Sequence, residues 1–160
     1  MTMVTLTVDV QVACDGEVPA EPDIQKWVSA ALGQSGRAVD RPCEIAVRIV
    51  DAEEIQTLNE LYRKKDGATN VLSFPGGEMT GLPDEATRML GDIVICASVV
   101  AREAAEQDKA LADHWAHMLV HGTLHLLGFD HNTDTEAAEM EALETSILAT
   151  GHVTDPYQRS

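Results

Sequence analysis

Three histidines sit close together in His121-Gly122-Thr123-Leu124-His125-Leu126-Leu127-Gly128-Phe129-Asp130-His131. His121 and His125 lie four residues apart in a stretch without helix breakers, so on a helix their imidazoles leave the same face on successive turns. Gly128 can take the left-handed conformation that ends a helix and turns the chain back. His131, three residues later, can then reach the side toward which the first two point. Three imidazoles meeting at one point make a zinc site with a fourth position open, the arrangement of catalytic rather than structural zinc. Such an ion, carrying its full charge among neutral ligands, polarises a carbonyl or phosphoryl oxygen and acidifies a bound water.

Two reactions suit that chemistry, and the residue after His121 separates them. The spacing HxxxHxxGxxH is that of metzincin peptidases, whose Glu beside the first His serves as base. Here that place holds Gly122, which has no side chain. A phosphodiesterase needs instead a positive charge beside the phosphoryl oxygens, and arginine is well shaped for it. Arg63, at the end of a predicted helix, supplies that charge if the helix lies near the metal.

The elements that must hold these residues are readable in the hydrophobic pattern. Val4, Leu6, Val8, Val10 and Val12 alternate with polar residues over 4–12, as in a half-buried strand. Pro22 opens a helix with Ile24, Trp27, Val28, Ala31 and Leu32 on its apolar face and Gly33 beyond its end. Ile45, Val47 and Ile49 mark a second strand. Asp51 and Glu54 form a capping arrangement for a helix running to about Lys64. A short strand over 70–74 stops at Pro75, and a Gly- and Pro-rich loop follows to about Leu90, either a flap over a site or a tolerated excursion. Gly91–Ile95 is the fourth strand. Helices follow from Ser98 to about Gln107, from Leu111 to Leu127 and from Thr135 to Ala149. The expected fold is α+β, a mixed four-stranded sheet packed by helices, with a zincin-like HxxxH helix carrying the metal site. Residues 1–150 are expected to form one domain and 151–160 a C-terminal tail.

On the histidine helix, Leu111, Trp115, Met118 and Leu126 form a packing stripe with Gly122 in its middle, where a neighbour can approach closely. His114, His117, His121 and His125 form a second stripe. Not all four can be ligands together with His131 and leave an open position. His121, His125 and His131 bracket the turn at Gly128, which leaves His114 and His117 to positioning, substrate-side or packing roles. Asp130 is open to three readings: a base, a group orienting a ligand, or an exposed turn carboxylate.

Composition narrows the partners. With 11 basic against 27 acidic residues the formal net charge is −16, which argues against broad binding of nucleic acid. The local exception is Arg63-Lys64-Lys65, equally readable as cations at a helix C-terminus. Aromatics make up 4% of the chain, so no stacking platform is evident. No run approaches membrane-spanning length, and the first residues lack the basic and apolar regions of a secretory signal. Three cysteines, odd in number and without a CxxC pair, read as reduced thiols, and the cytoplasm is the expected compartment.

Together, Leu58-Asn59-Glu60-Leu61-Tyr62-Arg63, then Thr69-Asn70-Val71-Leu72-Ser73-Phe74-Pro75, then Gly91-Asp92-Ile93 and the histidine segment resemble the bacterial YbeY endoribonucleases, which are rRNA maturation factors. The likeness runs from about Leu58 to His131 and includes His114-Trp115-Ala116-His117. Phe129 stands where Tyr is common, and the first fifty residues match in layout alone. The resemblance implies a zinc-dependent, single-strand-specific endoribonuclease acting in 16S rRNA 3′-end maturation and ribosome quality control. It puts one Zn2+ on His121, His125 and His131 and a functional arginine at Arg63. Its implied partners are rRNA and the small ribosomal subunit, with a small-subunit ribosomal protein and an assembly GTPase, and neither membrane nor DNA. A metallopeptidase, or a non-catalytic assembly factor with a structural metal, are the alternatives.

Overall fold

The computed structural model describes residues 6–36, 42–63, 67–76, 88–130, 132–151 and 153, with the side chains of Arg63 and Arg88 outside that description. Alternating β-branched residues form two neighbouring parallel strands, β1 (Leu6–Ala13) and β2 (Cys43–Val50). Between them runs α1 (Glu21–Gln34), whose second residue is Pro22, where a missing N–H costs nothing. Gly33 lies inside this helix rather than past its end. The left-handed conformation falls instead on Gly36, with φ +76°.

After β2, Asp51 caps α2 (Ala52–Leu58) by accepting a hydrogen bond from the Glu54 amide at 2.9 Å. The Glu54 carboxylate does not close the reciprocal half of a capping box, because it pairs with the Arg48 guanidinium on β2. Past Leu58 the helix is no longer a regular α-helix, and Lys64, its expected end, lies outside the described residues. The helix widens into a π-helical turn, Asn59–Arg63, a departure that favours functional sites.

Then β3 (Val71–Pro75) pairs antiparallel with β4 (Arg88–Cys96), and β4 pairs parallel with β2, so the sheet order is β1-β2-β4-β3. The mixed four-stranded sheet of a single α+β domain is therefore observed. Pro75 ends an edge strand, where a strand tolerates a residue that cannot donate. β4 starts three residues before the expected Gly91, because Arg88 and Met89 continue the ladder beside Cys43 and Glu44 across an irregularity at Glu44/Ile45. Most of the expected flap or excursion, residues 77–87, lies outside the described residues.

The helices α3 (Ala97–Glu106), α4 (Leu111–Leu126) and α5 (Asp134–Ala149) follow as expected to within a residue. The main core lies on one face of the sheet, where Ile45, Val47, Ile49, Ile93 and Ile95 meet α1, α4 and α5. A smaller core on the other face joins Val50, Leu72, Val94 and Cys96 to Ile55 of α2 and Val99 of α3. α4 touches α1, α3, α5, β3 and β4. It is accordingly buried over most of its circumference, Leu119, Val120, Thr123 and Leu124 included, rather than along one stripe. No described helix is long and apolar enough to cross a membrane. Cys14, Cys43 and Cys96 are free thiols.

Candidate metal centre and substrate cleft

Gly122 fixes the height at which α4 crosses the sheet. A Cβ built on it would lie 2.8 Å from Ile93 Cγ2 and 3.4 Å from Ser73 Oγ. The Ser73 hydroxyl donates to the Gly122 carbonyl at 3.0 Å, which ties edge strand β3 to the helix. The residue that a peptidase would use as base thus has its space filled by the sheet.

The helix ends as its glycine predicts. Gly128 has φ +98°, its N–H donates to the His125 carbonyl at 3.1 Å, and the Phe129 N–H donates to the Leu124 carbonyl at 3.1 Å. This pair of bonds is a Schellman motif, with buried Phe129 as its apolar anchor. It turns Asp130 back toward the helix, and Asp130 accepts a hydrogen bond from Asn132 at 2.8 Å.

His121 and His125 come together as the four-residue spacing requires, with their Nε2 atoms 3.1 Å apart. The other nitrogen of His121, Nδ1, meets Glu144 Oε1 at 2.6 Å, and His117 Nε2 meets Glu144 Oε2 at 2.9 Å. Glu144, on α5, has no exposed surface. Burial pushes its carboxyl up, but the hydrogen bonds from His117 and His121 outweigh this and hold its pKa down to about 2. An ionised carboxylate accepts only, so the contact assigns a proton to His121 Nδ1 and makes Nε2 the ring's lone-pair nitrogen, the one that would bind a metal.

These donors fit a metal ion. Two imidazoles on one tetrahedral ion, with metal–nitrogen distances near 2.0–2.1 Å, bring their nitrogens to about 3.3 Å. A carboxylate on the far nitrogen of a ligating histidine is the usual support for such a site. His117, His121 and Glu144 also offer one ligand atom each within 4.8 Å of one another, so this His/His/Glu cluster can itself hold a metal ion. Of the two placements, the Nε2 pair is the better suited. Both Glu144 oxygens are already committed to imidazoles, and neither His117 nor Glu144 lines the open cleft onto which His121 and His125 face. The expected third ligand, His131, lies outside the described residues.

That cleft has a volume of about 770 Å³. One wall is the edge strand with its approach, Asn70 to Ser73 and Pro75, and the other is His121, His125, Gly128, Phe129, Asp130 and Asn132. Asn59, first residue of the π-helical turn, closes one end and donates to the Gly67 carbonyl at 3.0 Å. Arg63 is the last residue of the same turn, so its element does border the cleft. Its side chain is outside the described atoms.

The other two described histidines, His114 and His117, have structural partners. His117 is the second hydrogen-bond partner of Glu144. His114 is buried and meets Glu103 Oε1 at 3.0 Å, and Glu103 also accepts from Asn70 Nδ2 at 3.1 Å. Burial lowers the His114 pKa, only partly offset by the hydrogen bond to Glu103. Glu144 is the functional residue that the sequence reading missed. A signal was present: Met140, Glu144, Ile147 and Leu148 share the buried face of α5 at helical spacing, so a carboxylate stands in an apolar stripe.

The chain has clear relatives among known proteins. A family model described as Endoribonuclease YbeY matches residues 12–152, well beyond the stretch from Leu58 to His131. A protein of Idiomarina loihiensis named Endoribonuclease YbeY is 51% identical over 158 residues, covering 98% of this chain and 94% of that one. Another so named, from Stenotrophomonas maltophilia, is 56% identical over 141 residues, covering 88% of this chain and 85% of that one. The solution structure of TM1509 from Thermotoga maritima superposes with a TM-score of 0.54 over 94% of this chain and 99% of that one. At 22% identity it speaks for the fold alone. Matched from the last residues of β1 through α5 by the family model, and over most of its length by relatives of about half identity, the chain belongs to the Endoribonuclease YbeY family.

Proposed function

We propose that the protein is a zinc-dependent, single-strand-specific endoribonuclease that acts in 16S rRNA 3′-end maturation and ribosome quality control in the cytoplasm. The observation that carries the reading is the pair of imidazole Nε2 atoms 3.1 Å apart, opening onto the cleft of a YbeY-family chain. His121, His125 and His131 are the proposed ligands, and zinc held there supplies a Lewis acid beside the scissile phosphate. Glu144 keeps the His121 lone pair aimed at the ion and, with both oxygens engaged, is not the proton acceptor of the reaction. Arg63 is the proposed catalytic cation for the charge that builds on the phosphoryl oxygens. The proposed partners are rRNA in the small ribosomal subunit, a small-subunit ribosomal protein and an assembly GTPase.

Purified protein with its metal is expected to cut single-stranded RNA and spare duplex RNA. His121→Ala, or removal of the ion with a chelator, is expected to abolish cutting. Cleavage that persists under both conditions overturns the reading. The peptidase alternative lacks its base, since the Cβ of any residue replacing Gly122 meets Ile93.

A further inference from the structure

Two large apolar side chains, consecutive in the chain, stand exposed on the π-helical turn whose first residue lines the cleft. Leu61 is 67% and Tyr62 is 65% exposed, although Trp27, Trp115 and Phe129 are all buried. The Tyr62 ring meets the Phe74 ring edge to face, with centroids 5.4 Å apart and planes at 72°. Phe74 is half-buried and packs on the smaller core. It is therefore a fixed support that restricts Tyr62 while leaving most of that ring in solvent. An aromatic held in place loses little entropy when a flat partner settles on it, and such a ring is a better platform than a freely rotating one.

The pair sits at the rim of the cleft's edge-strand wall. Tyr62 belongs to the π-helical turn whose first residue, Asn59, lines the cleft, while Phe74, between the cleft-lining Ser73 and Pro75, turns its ring to the opposite face of the strand, onto the smaller core. Directly after Tyr62 come Arg63, Lys64 and Lys65, three of the chain's eleven basic residues. An exposed aromatic followed by consecutive cations, on a chain that is otherwise strongly acidic, matches one kind of occupant. That occupant has a flat apolar face joined to an anionic backbone.

Building on the endoribonuclease reading, we propose that Tyr62, backed by Phe74, is the stacking site for an unpaired base of the RNA substrate. Every base has a π-face, so such a site tolerates sequence. A base within a duplex has both faces covered by its neighbours, so it cannot occupy the ring without leaving the stack. The site thereby gives the enzyme a physical reason to prefer single strands. It also answers the low aromatic content: one well-supported ring suffices for one base.

The test uses the full-length, zinc-loaded protein and a defined single-stranded RNA oligonucleotide. Tyr62→Ala is expected to weaken the substrate interaction roughly 5- to 100-fold, with the loss in KM rather than kcat. Tyr62→Phe, which keeps the ring, is expected to recover most of it, and both variants should melt with the wild type because the side chain is exposed. In Tyr62→Trp on a His121→Ala background, which binds without cutting, tryptophan emission is expected to be quenched by the oligonucleotide. The same background without that change reports Trp27 and Trp115, which are buried and should respond little. Equal KM for wild type and Tyr62→Ala overturns the stacking site while leaving the endoribonuclease reading intact. A wild type that neither binds nor cuts the RNA overturns both.

Discussion

Glu144 acts on the metal centre without facing the cleft, and its effect should be measurable apart from catalysis. Its two oxygens set the tautomer of His121 and hold His117, so Glu144→Gln replaces one acceptor by a donor and sets it against an imidazole nitrogen. Zinc affinity is expected to fall by roughly 10- to 100-fold, read by competition with a chromogenic chelator. His114 makes a different prediction. Burial depresses its pKa below 6.5, so just below pH 6.5 the unfolded chain binds more protons than the folded one. Stability is therefore expected to be full above that pH and to decline below it, by no more than about 1.4 kcal/mol per pH unit for one proton. Thermal melts between pH 7.5 and 5.5 should show the decline, and His114→Gln should make it shallower.

At the scale of elements, the seat of α4 on the sheet is the most sensitive point. In Gly122→Ala the new methyl meets a β-branched side chain that has no flexible end to move aside. A cost of about 1–3 kcal/mol is expected, seen as a lower melting temperature in calorimetry. The helix and the alternating strands were legible beforehand, because burial on one face imposes a period that survives in the sequence. The histidine pair and its glycine turn were legible for a similar reason, since all their contacts are local. What could not be read depends on distant pairing. β4 gains its first residues from a partner strand more than forty positions earlier, and Glu144 lies 23 residues from the imidazole it orients. Gly33 and Gly36 are the same residue type, and only the packed helix shows which of them turns the chain. Tyr62 lies in the stretch expected as an ordinary helix to about Lys64, and only the folded chain shows it exposed against Phe74.

The whole molecule carries its charge against its proposed substrate. A net −16 repels polyanions at long range, and Arg63-Lys64-Lys65 is the concentrated exception. Three phosphate contacts to a single strand correspond to a slope of about −2 in log K against log salt, shallow for a nucleic-acid enzyme. Fluorescence anisotropy over a potassium chloride series is expected to give that slope, and Arg63→Ala is expected to flatten it by about 0.7. A steep slope for wild type would mean that phosphates meet cations elsewhere on the surface. Such shallow electrostatics would give weak attraction to bulk RNA, as the proposed delivery to one rRNA end by partners requires.

The π-helical turn at Asn59–Arg63 has a consequence for insertions and deletions. A π turn differs from an α turn by one extra residue, so losing a single codon there would let α2 run on as a regular helix. Such a chain would keep its hydrogen bonds and much of its core. Every residue from the deletion to the end of the helix would nevertheless be turned by about 100° around the axis, Tyr62 and Arg63 with it. Ordinary substitutions in this stretch alter one side chain at a time. A frame-preserving deletion would instead turn Tyr62 off its Phe74 support, giving a folded protein without the proposed stacking site.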